Sequence, residues 1–210
     1  MDDVFQLNEQ ELYEKAIKSA DNWNRYFIYM TMSANRGYQP AIEKLIRAPF
    51  HKQDYKETFP FYEKTKNCMY SMEQLAAIYE KDRDFMQKNE ELSDRYYKTA
   101  ICKGNSIAMT HYGRKLYWSG FKDEAMDLYR AAIELGNCEA AYNLAYSYMY
   151  NYRNFEKALK YFELSFEQGY PPSREALISL HRERHIRDNK YVTAYFSNDS
   201  AAVTEIYTFQ

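Results

Sequence analysis

The chain has 210 residues, 46% of them hydrophobic, which is enough for one continuous core, and a formal net charge of -2. That charge argues against a general nucleic-acid binder, which needs a positive field to displace condensed counterions. Six Gly and five Pro leave few breakers for hairpins and tight turns, so the composition predicts helices.

Met1-Asp2-Asp3-Val4-Phe5 carries neither a basic nor an apolar leader, and no stretch approaches the roughly 18 uncharged apolar residues of a membrane helix. Neither a secretory signal nor a membrane span is expected. Cys68, Cys102 and Cys138 are odd in number and lack short metal-type spacing, as reduced thiols of a cytoplasmic protein would. The 23 tyrosines are expected mainly in helix packing, with their hydroxyls at the wet edge.

In chain order, residues 10–20 form a first predicted helix. Tyr29-Met30, Ala34, Gly37 and Ala41 then give an order of aromatic, small, Gly and Ala that recurs downstream. Residues 49–60, with Pro49, His51 and Pro60 among polar side chains, read as an irregular connection. Met72, Leu75, Ala76 and Tyr79 make an amphipathic stripe, followed by a polar connection through Lys81–Asn89 and a helix over 91–103.

From Tyr96 the repeat is plain. Before each of Gly104, Gly136 and Gly169 an aromatic stands seven residues back and a small residue four back. Aromatic and small residue share one helix face, and the Gly ends the helix in the left-handed conformation. Ala108 and Ala140 then open the next helix. Its stripe is Met109, Tyr112, Gly113 and Leu116 in one unit and Ala141, Leu144, Ala145 and Tyr148 in the next. Ala125 and Ala158 open the second helix of each pair. The unit is helix A, short loop, helix B and Gly, repeated every 32 to 33 residues. Pro171-Pro172-Ser173 begins a last helix reaching about Arg187. Beyond it, Tyr191–Phe196 and Val203–Phe209 flank the turn-type residues Ser197–Ser200, a pattern of hairpin or extended tail. The expected division is a helical-repeat domain over 1–187 and a tail over 188–210.

The stretches Gly136-Asn137-Cys138-Glu139-Ala140-Ala141-Tyr142-Asn143-Leu144-Ala145 and Glu156-Lys157-Ala158-Leu159-Lys160-Tyr161-Phe162 resemble Sel1-like repeats, the slightly longer relatives of tetratricopeptide repeats. The resemblance holds from about Tyr96 to Gly169. The loop between helices A and B is shortened to Ser119-Gly120-Phe121-Lys122, which brings the unit near tetratricopeptide length. The resemblance implies an all-α solenoid of about five stacked antiparallel helix pairs, with A helices lining the inner surface. It also implies a scaffold role and no reaction. Position by position, it places Ile107, Thr110, Arg114, Tyr117 and Trp118 on the inner groove, with Glu139, Tyr142, Tyr146, Met149 and Tyr150 in the next unit. In the preceding unit the groove positions are Tyr70, Glu73, Ala77, Glu80 and Lys81. Tyr, Trp and Arg dominate binding energy at interfaces. The expected partner-binding set is therefore Arg114, Tyr117, Trp118, Tyr142, Tyr146, Met149 and Tyr150.

No phosphate loop or dinucleotide fingerprint occurs. His181 and His185 stand i, i+4, but Arg182 occupies the place of the zinc-protease Glu, and a solvated face is the simpler account. The basic run Arg182–Lys190 complements the dipole of the last helix, with a phosphate or acidic-peptide contact as the alternative. No catalytic residue, cofactor or metal is expected. The function expected is an adaptor holding a peptide or helix of a partner protein in a concave aromatic groove. Three alternatives stay open: a viral, effector or immunity-type binder of one protein, a nucleic-acid-binding helical repeat, and an enzyme whose site is assembled from scattered residues. An open-ended stack also leaves room for a homo-oligomer.

Overall fold

The computed structural model describes residues 4, 6–46 and 54–183. Eleven α-helices occur among them and no strand, apart from one bridge between Arg83 and Met86. The hairpin or tail expected over 188–210 lies outside the described residues. By backbone contacts the chain divides into two compact units, Met1–Asn137 and Cys138–Gln210.

The first unit holds α1 (Glu9–Lys18), α2 (Trp23–Asn35), α3 (Gln39–Ile46), α4 (Tyr55–Lys64), α5 (Met69–Tyr79), α6 (Glu90–Cys102), α7 (Ser106–Trp118) and α8 (Lys122–Glu134). The second holds α9 (Cys138–Tyr150), α10 (Phe155–Glu167) and α11 (Pro172–Glu183). The closest packing is within the pairs α1–α2, α5–α6, α7–α8 and α9–α10, with α11 against α10. This is the expected helix-pair architecture of an all-α solenoid.

The repeat residues explain the pairing. Gly104 and Gly136 take φ of +82° and +78°, the left-handed conformation that glycine enters without a Cβ clash. The N–H after the glycine then donates to the small residue four positions before it: Asn105 to the Ala100 carbonyl and Asn137 to the Ala132 carbonyl, each at 3.0 Å. This 6→1 bond closes the helix end and turns the chain toward the next helix. Ala100 and Ala132 are fully buried, as are the rings of Tyr97 and Tyr129 one turn earlier. Phe162, Ser165 and Gly169 repeat the arrangement in the second unit, with Tyr170 N–H donating to the Ser165 carbonyl at 3.0 Å. Gly113 serves a different end, because a Cβ there would lie 2.8 Å from Tyr129 Cε1 and 3.3 Å from the Ala125 carbonyl oxygen. Its absence lets α7 and α8 approach closely.

The asparagines that follow Gly104 and Gly136 add a tie between neighbouring repeats. Asn105 Oδ1 accepts from the N–H groups of Ile107 at 2.9 Å and Ala108 at 3.0 Å, capping α7. Its Nδ2 donates to the carbonyl of Met69, the first residue of α5, at 3.1 Å. Asn137 Nδ2 likewise reaches the carbonyl of Ser106, the first residue of α7, at 3.2 Å. Both asparagines are buried, so neither tie competes with water.

The irregular connection expected over 49–60 is corrected in part, because α4 runs through Tyr55–Lys64 with Pro60 inside it. Asp54 caps the helix by accepting from Lys56 N–H at 2.8 Å. Thr58 and Tyr62, one turn apart, are fully buried and hold the segment down, while Pro60 faces solvent. A missing N–H and a ring clash disfavour proline inside a helix. Burial of the Tyr62 face offsets that.

Asn105→Ala removes the α7 cap and the side-chain tie to the half-buried Met69 carbonyl. It should lower unfolding stability by about 2 kcal/mol, read as a lower urea midpoint at unchanged m. A midpoint equal to wild type would mean that the tie carries no load.

Candidate functional site

Burial runs as a gradient along the A helices α5 and α7. In α7 the residues from Ser106 to Gly113 are all buried, whereas Arg114 and Trp118 are exposed. In α5, Tyr70 to Ala76 are buried, and Lys81 beyond its end is exposed. The inner positions expected at Tyr70, Glu73, Ile107 and Thr110 are thus not open. Tyr70 and Ile107 join a core cluster with Phe27, Met30 and Ala34 of α2 and Ala41 and Leu45 of α3. The N-terminal helices of the first unit fill that space themselves, α2 packing directly on α5.

At the C-terminal end of α7 the expected residues do come together. Trp118 is 80% exposed, and its ring meets the half-buried Tyr117 edge-on with centroids 5.6 Å apart. Lys122 Nζ lies 5.8 Å from the Tyr117 ring centre. Arg114 stands one turn before Trp118, near enough to Tyr97 to draw its hydroxyl pKa down against the larger effects of burial and Glu80. The exposed Phe121 continues the apolar edge past the end of the helix.

In the second unit, Tyr142, Tyr146 and Tyr150 form a ladder along α9. Tyr142 and Tyr146 are half-buried, meeting at 4.8 Å, and each packs edge-on against Phe162 of α10. Tyr150 is 61% exposed and stacks on Tyr146 at 5.5 Å. Met149, expected beside them, is a core residue at 7% exposure. It stands four residues after Ala145, on the stripe that α9 buries.

A buried polar cluster in the first unit escaped the sequence reading. Glu73, 1% exposed, accepts from Gln74 Nε2 at 2.6 Å and meets His111 Nδ1 at 2.8 Å. Tyr97 donates its hydroxyl to Glu80 at 2.8 Å nearby. Glu73 and His111 lie 38 positions apart on α5 and α7, and no motif joins them. Enclosed in this way, the pair joins two A helices and offers no surface to a substrate. Among the described residues no three His, Cys, Asp or Glu side chains gather as metal ligands would. Cys68, Cys102 and Cys138 are free thiols. The side chains of His181, His185 and Arg182–Lys190 lie outside the described residues.

Truncation of Glu73 to Ala leaves His111 and Gln74 buried without their acceptor. It should lower stability by about 3–5 kcal/mol in a urea titration, with Glu73→Gln losing less. Equal losses for the two variants would mean that packing, not charge, matters at this position. The tyrosines give a second test. Burial pushes Tyr70 up to about 12, and burial together with the Glu63 carboxylate pushes Tyr79 up to about 12. Tyr97 is raised by burial and then by Glu80, and Tyr142 by burial and then by its bond to Tyr146. Above pH of about 10 the unfolded chain then loses phenolic protons before the folded one, so stability should fall between about pH 10 and 12. Unfolding stability unchanged across that window would contradict the burial of these hydroxyls.

No protein-family model matches the chain. Over 97 residues the chain is 34% identical to an F-box protein of Arabidopsis thaliana, a match covering 45% of this chain and 27% of that protein. The chain thus spans about a quarter of that relative's length. Among solved structures it is similar to a protective antigen of uropathogenic Escherichia coli that displays an SLR fold, with TM-score 0.52 and 18% identity, covering 85% of this chain and 42% of that one. It is also similar to the immunity protein PA5088 of Pseudomonas aeruginosa, with TM-score 0.53 and 21% identity over 80% of this chain and 72% of that one. The immunity protein Pa5087 of the same organism gives TM-score 0.54 and 21% identity, over 79% and 68%. Paired helices, glycine-capped B helices and these fold neighbours agree: the chain is a helical-repeat protein of the Sel1-like, tetratricopeptide-like fold.

Proposed function

We propose that the chain is a protein–protein interaction scaffold that holds a peptide or helix of a partner on the aromatic ends of its A helices. Arg114, Tyr117 and Trp118 supply the contact in the first unit, and Tyr142, Tyr146 and Tyr150 in the second. The observation that carries this reading is Trp118, 80% exposed at the end of α7. Water disfavours so large an apolar ring in the open, and exposed aromatic patches of this kind mark contact sites. Trp, Tyr and Arg are also the residues on which binding energy concentrates. Met149, being buried, is left out of the surface.

The fold neighbours named immunity proteins favour a narrower form of the same reading, a dedicated binder of one protein. The number of partners separates the two forms. A nucleic-acid ligand would require binding that weakens steeply with salt. No helix among the described residues is long and apolar enough to cross a membrane.

Trp118→Ala and Tyr150→Ala both fall on exposed rings, so the fold should keep its circular dichroism and melting temperature. In affinity purification from the native cell, compared quantitatively with wild type, the double variant should recover at least about tenfold less of the specific partner. A dedicated binder should yield one dominant partner and an adaptor several. Equal recovery by wild type and double variant would remove the assignment.

A further inference from the structure

Five of the chain's glycines, Gly37, Gly104, Gly120, Gly136 and Gly169, take positive φ, and among the described residues Arg153 alone does so without being glycine, at +48°. It stands in the loop joining α9 to α10. In the corresponding loop of the preceding repeat, between α7 and α8, the left-handed position belongs to Gly120. The fold therefore accepts glycine at this point of the repeat. A β-carbon there clashes with backbone, and arginine is not among the residues enriched in this conformation. Asn151 and Asn154, which tolerate it better, lie in the same loop in ordinary conformations. Backbone strain of this kind persists where the side chain is wanted for something else.

The side chain of Arg153 is exposed, and no hydrogen bond or ion pair ties it to the described residues. Two exposed rings precede it in the chain, Tyr150 at the end of α9 with 61% exposure and Tyr152 in the loop with 49%. The neighbouring cation is differently engaged, since Lys157 Nζ lies over the Tyr148 ring at 5.1 Å. The loop thus presents one guanidinium, with five N–H donors in a planar fork, in a stretch of chain that also carries two exposed rings, each combining an apolar face with a hydroxyl.

We propose that the α9–α10 loop is a docking point for an acidic segment of a partner protein, with Arg153 taking an Asp or Glu carboxylate through its paired N–H donors. Tyr150 and Tyr152 cover the apolar residues beside that carboxylate. One free guanidinium matches one carboxylate. A nucleic-acid backbone would call for several cations, and the chain carries a net charge of -2. The inference rests on the interaction reading above and deepens it, naming the chemistry of the partner and a residue which that reading does not contain.

A random linear peptide library displayed on phage and selected on the full chain supplies the probe. Peptides that emerge are synthesised, and their affinities measured by calorimetry for wild type, Arg153→Gly, Arg153→Asn and Trp118→Ala. The selected peptides should share an Asp or Glu, and its change to Gln or Asn should weaken binding about tenfold or more. Arg153→Gly and Arg153→Asn should weaken the acidic peptide to the same degree and be indifferent to the amidated one. Both variants tolerate the left-handed backbone. Arg153→Gly should fold at least as well as wild type, with a melting temperature up to about 2–4 °C higher. A residue kept for structure would instead melt lower on substitution. Selected peptides that are basic, or that need a phosphate group to bind, overturn the proposal. Peptides that depend on Trp118 and ignore Arg153 also overturn it, while leaving the interaction reading in place. A library that yields no binder removes both.

Discussion

The structure depends on what happens at the end of each B helix. A left-handed glycine turns the chain and the next N–H returns to a small buried residue; after α6 and α8 that next residue is an asparagine whose side chain reaches the first carbonyl of an earlier A helix. Helix ends leave carbonyl and N–H groups without partners, and burying such groups unpaired is expensive. In a repeat protein those ends fall between packed helices, so the capping chemistry and the stacking contact become the same few atoms. Ala100, Ala132 and Ser165 are small for this reason. Each serves as carbonyl acceptor and as the point where neighbouring helices touch.

A second consequence concerns the inner face of the A helices. In a regular array that face is open along its length. In the first unit α2 and α3 press Phe27, Met30, Ala34, Ala41 and Leu45 against Tyr70 and Ile107, closing the N-terminal part of the face. Closure brings Glu73 and His111 out of water, and they survive there by satisfying one another and Gln74. What stays open is the C-terminal end of α7, where Tyr117 and Trp118 meet edge to face. A buried half that locks repeats together and an exposed end that carries aromatic rings give one helix two separate duties. The same division governs α9, whose stripe Ala141, Leu144, Ala145 and Tyr148 is buried while Tyr150 is not.

Local rules and tertiary demands disagree at two places, and the disagreement is informative in different ways. Pro60 sits inside α4 because Thr58 and Tyr62 on the opposite face are worth more to the core than one backbone hydrogen bond. Arg153 sits where the preceding repeat uses Gly120, and no hydrogen bond or ion pair to the described residues holds its side chain there. Departures of the first kind are compensated within the molecule. Those of the second kind are uncompensated within the described residues, which is where functional sites tend to lie.

Whatever depends on spacing along the chain was legible in the residues alone. The aromatic, small residue and glycine recur at fixed separation, so the helix pairs, their left-handed caps and the buried stripes Met109–Tyr112–Gly113 and Ala141–Leu144–Ala145 follow from helical periodicity, a local property. The aromatic ends of α7 and α9 came instead from the resemblance to tetratricopeptide repeats, taken position by position. Tertiary structure alone decided the rest: that α2 would cover Tyr70 and Ile107, that Met149 would turn inward, that α4 would absorb a proline, and that Glu73 would find His111. Each joins residues distant in sequence, or sets a local preference against the burial of a neighbouring face. Such balances are struck only when the helices have packed.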